Sequence, residues 1–212
     1  MSVTKLLARI AQDKEDDAKK DLRNPLTQFA CAFSALIHDL DHQGVPNARL
    51  VEEGADLARF YNDKAIAEQN SLELAFGLLM EREFEMLRKA IYANQTEMRI
   101  FRQLVINSIM ATDIVDKDLK ALRNARWEKA FSDSVESETH PQAHIHRKAT
   151  IVIEHLIQAS DVAHTMQHWM VYRRWNERFF EECYKAFCDG RASVDPSLNW
   201  YQGELGFFDF YM

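Results

Sequence analysis

Between residues 38 and 42 the sequence reads HDLDH, four ionisable side chains in five positions directly behind the apolar run FACAFSALI. Burying such groups costs free energy unless they are paired or bind a cation. Asp39 and Asp41 also follow the carboxyl end of the helix that this run predicts, where the backbone dipole disfavours anions. A cation would remove the conflict. On a continuous helix His38 and His42, four apart, share one face, and Asp39 is turned by about 100° from its neighbour, within reach of a metal beside that face. Imidazole with carboxylate suits zinc, manganese or iron at one position, and carboxylate with water suits magnesium at a second. The competing reading is a polar helix end with solvated charges, against which the apolar run ahead of the motif weighs.

The elements that must position these groups are helices. Glycine (6) and proline (4) are scarce among 212 residues, 47% of the chain is hydrophobic, and apolar positions recur at helical spacing, so we expect an all-α bundle in a single domain spanning 1–212. The turn signal Asn24-Pro25 opens PLTQFACAFSALI, a helix that should be buried. Gly44 and Pro46 stop it, and Asn47 can begin the next helical piece. Further helices are expected around Ala48 to Tyr61, Lys64 to Arg88, Thr96 to Thr112 and Leu119 to Phe131. The polar stretch 132–144 reads as a surface loop. Ile145 to Phe187 follows as one long helical region, broken near Asp161, whose Trp169, Tyr172, Trp175, Phe179 and Phe180 fit core positions.

Composition narrows the function classes. The net charge is −7 and the Lys and Arg residues form no basic stripe, which argues against a binder of duplex nucleic acid. Cys31, Cys183 and Cys188 follow no zinc spacing and suit a reducing compartment as free thiols. No apolar run reaches the roughly 18 to 20 residues of a membrane span. The sequence enters a helical pattern directly after Met1 and ends on GELGFFDFYM, so we expect both ends to continue in a longer protein.

HDLDHQGVPN resembles the HDxDHxGxxN signature of class I 3′,5′-cyclic nucleotide phosphodiesterases, metal-dependent hydrolases of the HD type. YNDKAIAEQN, MATDI, QASDVAHTMQHW and GELGFFDFY follow in the order of that family. The wording of PLTQFACAF and ASDVAHTMQHW is most similar to phosphodiesterase domains of algae and diatoms, some fused to nucleotide cyclases. The resemblance implies a helical catalytic domain that hydrolyses cyclic AMP, cyclic GMP or both to 5′-monophosphates with two divalent cations, zinc and magnesium, or manganese. It makes His38, Asp39 and Asp161 metal ligands, and it puts Glu68 and Thr112 in the water shell of the second cation. His42 would orient water, and Asn47 would support the turn that follows. His164 would line the pocket, Glu204 would face the purine edge and Phe207 would stack on the base. It also implies a cytoplasmic location, or a cytoplasmic part of a larger, membrane-bound protein fused to a cyclase or regulatory domain.

By themselves these residues have plainer readings. A carboxylate such as Asp161 within a helix is usually solvated or capping, Glu68 is an ordinary exposed helical glutamate, and Thr112 fits a helix-end hydrogen bond equally well. The sequence also departs from the family. Ser71 and Gln158 stand where histidines are usual, and Glu204 replaces a glutamine. No histidine precedes His38, whereas the family carries two in an HNxxHAxDV-like motif ahead of HDxDH, so this chain by itself is expected to turn over weakly or not at all. Three rivals follow: a degenerate, non-catalytic nucleotide-binding module, another HD-type nucleotide phosphohydrolase, and a purely structural helical domain.

Overall fold

The computed structural model describes residues 2–11, 21–114, 117–132 and 141–211. The described residues are helical, without a strand, and fall into two compact units. The first comprises residues up to Asp41 together with Ala67–Ala163, and the second comprises His42–Ile66 with His164 onward.

The first unit contains α1 (Ser2–Ala11), α2 (Pro25–Ile37), α5 (Ile66–Met80, from Ala67), α6 (Glu85–Ile91), α7 (Gln95–Met110), α8 (Lys117–Phe131) and α9 (Pro141–Asp161). Helix α2 starts where Asn24 Oδ1 accepts from the Leu26 amide at 2.9 Å, with Pro25 contributing its fixed φ at the first helical position. Its buried residues, Thr27, Ala30, Cys31, Ser34 and Ile37, follow the three-and-four spacing of one helix face. That face packs on α7, whose start is capped by Asn94 at the Glu97 amide, 3.0 Å, while Glu97 returns a carboxylate to the Ala93 amide at 2.7 Å. Phe101 lies at the centre, 1% exposed, with Phe29, Phe33, Phe76 and Tyr92 within 6.5 Å between ring centres. Helix α9 touches α1, α2, α7 and α8, and this fixes its last residue, Asp161, relative to the end of α2.

The second unit contains α3 (Asn47–Glu52), α4 (Asp56–Phe60), α10 (Trp169–Cys188) and α11 (Trp200–Tyr211), with short 3₁₀ turns at Ala163–Met166 and Pro196–Leu198. Its small core is Val45, Leu50, Ala58 and Ile66. Gly44 occupies the left-handed region at φ +68, where a side chain would be strained.

Several boundaries differ from the sequence expectation. The stretch 48–61 divides into two helices because the chain turns at Gly54, and 64–88 divides at a 3₁₀ turn, Arg82–Phe84. The expected loop 132–144 is helical from Pro141, which starts α9, while residues 133–140 and the His144 and His146 side chains lie outside what the structure describes. Trp169, Trp175 and Phe179 are not core residues: they are 63%, 50% and 55% exposed, because α10 buries none of its residues.

Candidate active site

Helix α2 ends at Ile37, and the next four residues form a turn whose Leu40 amide donates to the Ile37 carbonyl at 3.0 Å. At its start, His38 Nδ1 lies 3.1 Å from the Ala35 carbonyl, so Nδ1 carries the proton that makes this bond. Nε2 points the other way. It lies 3.1 Å from Asp39 Oδ2 and 3.2 Å from Asp161 Oδ1, joining residues 123 positions apart. Hydrogen bonds to Asp161 first and to Asp39 second, against the opposing effect of burial, push the His38 imidazole up to about 10.

Among the described residues, no group of three His, Cys, Asp or Glu side chains stands ready-formed around a cation. His38, Asp39 and Asp161 meet pairwise through Nε2 instead, an arrangement closed by a proton. The donor set nevertheless fits a metal. With Nδ1–H committed to a backbone carbonyl, Nε2 is the ligating atom once its proton is lost, the usual orientation of metal-bound histidine. Ligands about 2.0 to 2.2 Å from one cation are separated from each other by about 2.8 to 3.1 Å at octahedral angles and about 3.3 to 3.6 Å at tetrahedral ones, and the separations of 3.1 and 3.2 Å lie between the two.

The other candidates of this unit come from α5 and from the end of α7. Glu68 is half-buried in the first turn of α5. Thr112 Oγ1 donates to the Ile109 carbonyl at 2.7 Å, the helix-end bond. Gln158, one turn before Asp161, donates through Nε2 to the Ala111 carbonyl at 2.7 Å and so ties α9 to the turn that carries Thr112. Next to the ligand turn, Ser71 Oγ donates to the Leu40 carbonyl at 2.8 Å and Asn70 Nδ2 to Asp41 Oδ2 at 3.1 Å. No spacing pattern announces these bonds, because a serine and an asparagine inside a helix read as neutral positions.

In the second unit His42 does not share a helix face with His38, since the helix has already ended and Asp41 turns the backbone to φ +59. His42 Nδ1 accepts from the Gly44 amide at 3.2 Å. The following loop is fixed by Arg191, which donates to the Gln43 carbonyl at 3.0 Å and reaches both carboxylate oxygens of Glu53 at 3.0 and 2.9 Å. Arg49 adds a bond to Glu53 at 3.0 Å and one to the Gly190 carbonyl at 2.9 Å. The two arginines, Arg191 ahead of Arg49, hold the Glu53 carboxyl below its ordinary range. Asn47 opens α3 and is half-buried.

A second polar group surrounds Glu204. Its Oε2 accepts from the Tyr172 hydroxyl and from Asn176 Nδ2, and Asn176 Oδ1 in turn accepts from Trp200 Nε1 at 3.0 Å. Burial first, and the Glu204 carboxylate second, push the Tyr172 phenol up, so it stays a donor. The Tyr172 ring stacks on His164, 6.3 Å between centres and 4° from parallel, and meets Phe208 at 5.8 Å. Phe207 packs edge-on against Phe208 at 6.1 Å. Tyr172 thus belongs to the polar group around Glu204, and helical spacing alone had assigned it to the core.

The family described as 3′5′-cyclic nucleotide phosphodiesterase matches residues 1–196. A dual specificity calcium/calmodulin-dependent 3′,5′-cyclic nucleotide phosphodiesterase 1C of Mus musculus is 28% identical over 210 residues, covering 91% of this chain and 27% of that protein. A probable 3′,5′-cyclic-AMP phosphodiesterase, pde-4, of Caenorhabditis elegans is 27% identical over 204 residues, 87% of this chain and 28% of that one. The chain therefore spans little more than a quarter of these relatives' length. The crystal structure of the phosphodiesterase domain of Salpingoeca rosetta rhodopsin phosphodiesterase superposes with a TM-score of 0.65 at 21% identity, over 98% of this chain and 63% of that one, a likeness of fold.

Proposed function

From the premise that this chain belongs to the 3′,5′-cyclic nucleotide phosphodiesterase family, we propose that it carries metal-binding and base-recognising residues for hydrolysis of cyclic AMP, cyclic GMP or both to the 5′-monophosphate. The observation that carries the reading is the convergence of Asp39 and Asp161 on His38 Nε2.

Divalent cations, zinc and magnesium with manganese as an alternative, would supply charge neutralisation at the cyclic phosphate and an acidified water. His38, Asp39 and Asp161 would hold the tighter cation. Ala35 keeps the His38 ring in the tautomer that exposes Nε2. Glu68 and Thr112 would hold the water shell of a second cation, and His42 would orient water. Asn47 supports the turn after His42. Glu204, fixed by Tyr172 and Asn176, faces the edge of the base, Phe207 stacks on its plane, and His164 lines the pocket. The same reading assigns residues 1–212 to one partial catalytic domain, supported by a family match that runs through both compact units. It also places the protein in the cytoplasm or on the cytoplasmic side of a larger fusion protein. No described helix is long and apolar enough to cross a membrane.

The test has two readouts on the purified chain: zinc or manganese content after dialysis, and chromatographic detection of 5′-AMP or 5′-GMP at high protein concentration. Bound cation, lost in Asp161→Asn, is expected, with metal-dependent product weak or absent because no histidine precedes His38. Full turnover by this chain would contradict the need for the two histidines that the family carries ahead of HDxDH. Failure to retain either cation, with no difference from Asp161→Asn, would refute the proposal.

A further inference from the structure

We propose that Asn70 and Ser71 are positioning residues that grip the Asp41 carboxylate and the Leu40 carbonyl and hold the His38–Asp41 turn in its metal-binding shape. The inference rests on the metal reading of His38, Asp39 and Asp161.

The turn has a conformational problem that its own sequence does not solve. Asp41 sits at φ +59, in the left-handed region where a Cβ crowds the backbone, and the residue there is not glycine. Aspartate tolerates this region better than most residues but does not prefer it, so another part of the fold has to hold it there. Helix α5 does so with two neighbouring side chains. Ser71, fully buried, donates to the carbonyl of Leu40 at 2.8 Å, immediately before the strained residue. Asn70, 7% exposed, donates to the Asp41 carboxylate at 3.1 Å, immediately after that carbonyl. The base is rigid, because Leu72, Ala75 and Leu79 on the same helix are buried in the main core. A turn gripped at both points cannot relax into a further turn of α2, which would swing Asp39 and His38 relative to Asp161. Serine at position 71 thus has a task of its own, and the histidine that is usual there is not simply missing.

The experiment uses Asn70→Ala, Ser71→Ala, Asp41→Gly and the double variant Asn70→Ala/Asp41→Gly. Zinc affinity is measured by competition with a chromophoric chelator, and folding by thermal melting. Loss of either donor is expected to weaken zinc binding by about tenfold, the size found for groups that orient a metal ligand. Glycine adopts the left-handed region without a penalty, so Asp41→Gly in the Asn70→Ala background should restore zinc affinity to within about threefold of wild type. Unchanged affinity in both single variants overturns the proposal, as does a loss that tracks the melting temperature and is not restored by Asp41→Gly. If wild type and Asp161→Asn bind zinc equally, the metal reading is what fails. The grip is then judged on the His38 ring resonances in NMR, identified by their absence in His38→Gln. Their movement in Asn70→Ala and return in the double variant supports the grip, and no movement overturns it.

Discussion

Glu154 lies two helical turns before Asp161 on α9, and replacing its partner Arg126 by methionine probes what holds that helix in register. Glu154 is 1% exposed. Arg126 Nη1 donates to its Oε2 at 3.2 Å, and Nη2 lies 2.9 Å from Oε1 in an ion pair without an aligned hydrogen bond. Burial pushes the Glu154 carboxyl up, and Arg126, then His155 and Arg123, oppose it. A carboxyl whose folded value is raised binds its proton more tightly in the folded state, so its contribution is complete below the ordinary glutamate range and is lost as pH rises through the folded value. Removing one partner of a buried pair costs about 3 to 5 kcal/mol. The lower end applies, because the Arg126 side chain is 43% exposed and water can take its place. Arg126→Met should therefore lose about 3 kcal/mol at pH 7.5. The loss should shrink as pH is lowered from 7.5 toward 5, because burial favours the protonated form of the stranded carboxyl. Adding Glu154→Gln to Arg126→Met should recover most of the loss at pH 7.5. Urea unfolding followed by circular dichroism at 222 nm across this pH range measures all three. An equal cost at pH 5 and 7.5, or a double variant no better than the single, would refute the reasoning.

Asp161→Asn removes a proposed charged ligand and should weaken zinc or manganese binding by more than about tenfold, read by chelator competition. Glu204 as a carboxylate only accepts hydrogen bonds, whereas glutamine also donates. Glu204 should therefore favour the donor-rich edge of guanine, and Glu204→Gln should shift the ratio of cyclic GMP to cyclic AMP binding toward the adenine nucleotide by about tenfold, one hydrogen bond to a charged group. Equal binding of both nucleotides, unchanged in the variant, would discard the assignment. Phe101→Ala, at the centre of five packed rings, should cost about 3 to 5 kcal/mol in urea unfolding.

What the sequence made legible follows from short-range periodicity and from one dense motif. PLTQFACAFSALI is the helix its composition announces, but its buried face includes Thr27 and Ser34 while Leu36 is 80% exposed, and it stops at Ile37, earlier than Gly44 and Pro46 suggest. The convergence of Asp161 with His38 came from the family resemblance, since no spacing rule joins residues 123 apart. The shared helix face of His38 and His42 failed for a local reason: the helix ends at Ile37, and the Asp41 backbone turns left-handed. Nothing in aspartate's identity announces that turn. Tyr172 was misread for the converse reason, because an aromatic at helical spacing looks apolar until its hydroxyl finds Glu204.

The departures from the family pattern share a physical logic that sequence comparison alone does not reveal. Ser71 and Gln158 stand where histidines are usual, and each donates a side-chain hydrogen bond to a backbone carbonyl beside a proposed metal position, Leu40 in one case and Ala111 in the other. An uncharged hydroxyl or amide making such a bond can hold a turn without adding a group that titrates near neutral pH. Glu204, which exchanges an amide for a charge, is accompanied by two donors directed at one of its oxygens, so the charge is compensated where it arises. A domain drifting away from function would be expected to leave such groups unmatched. Matched donors at all three positions favour a site that has been re-engineered over one that has decayed, and this weighs against the non-catalytic reading.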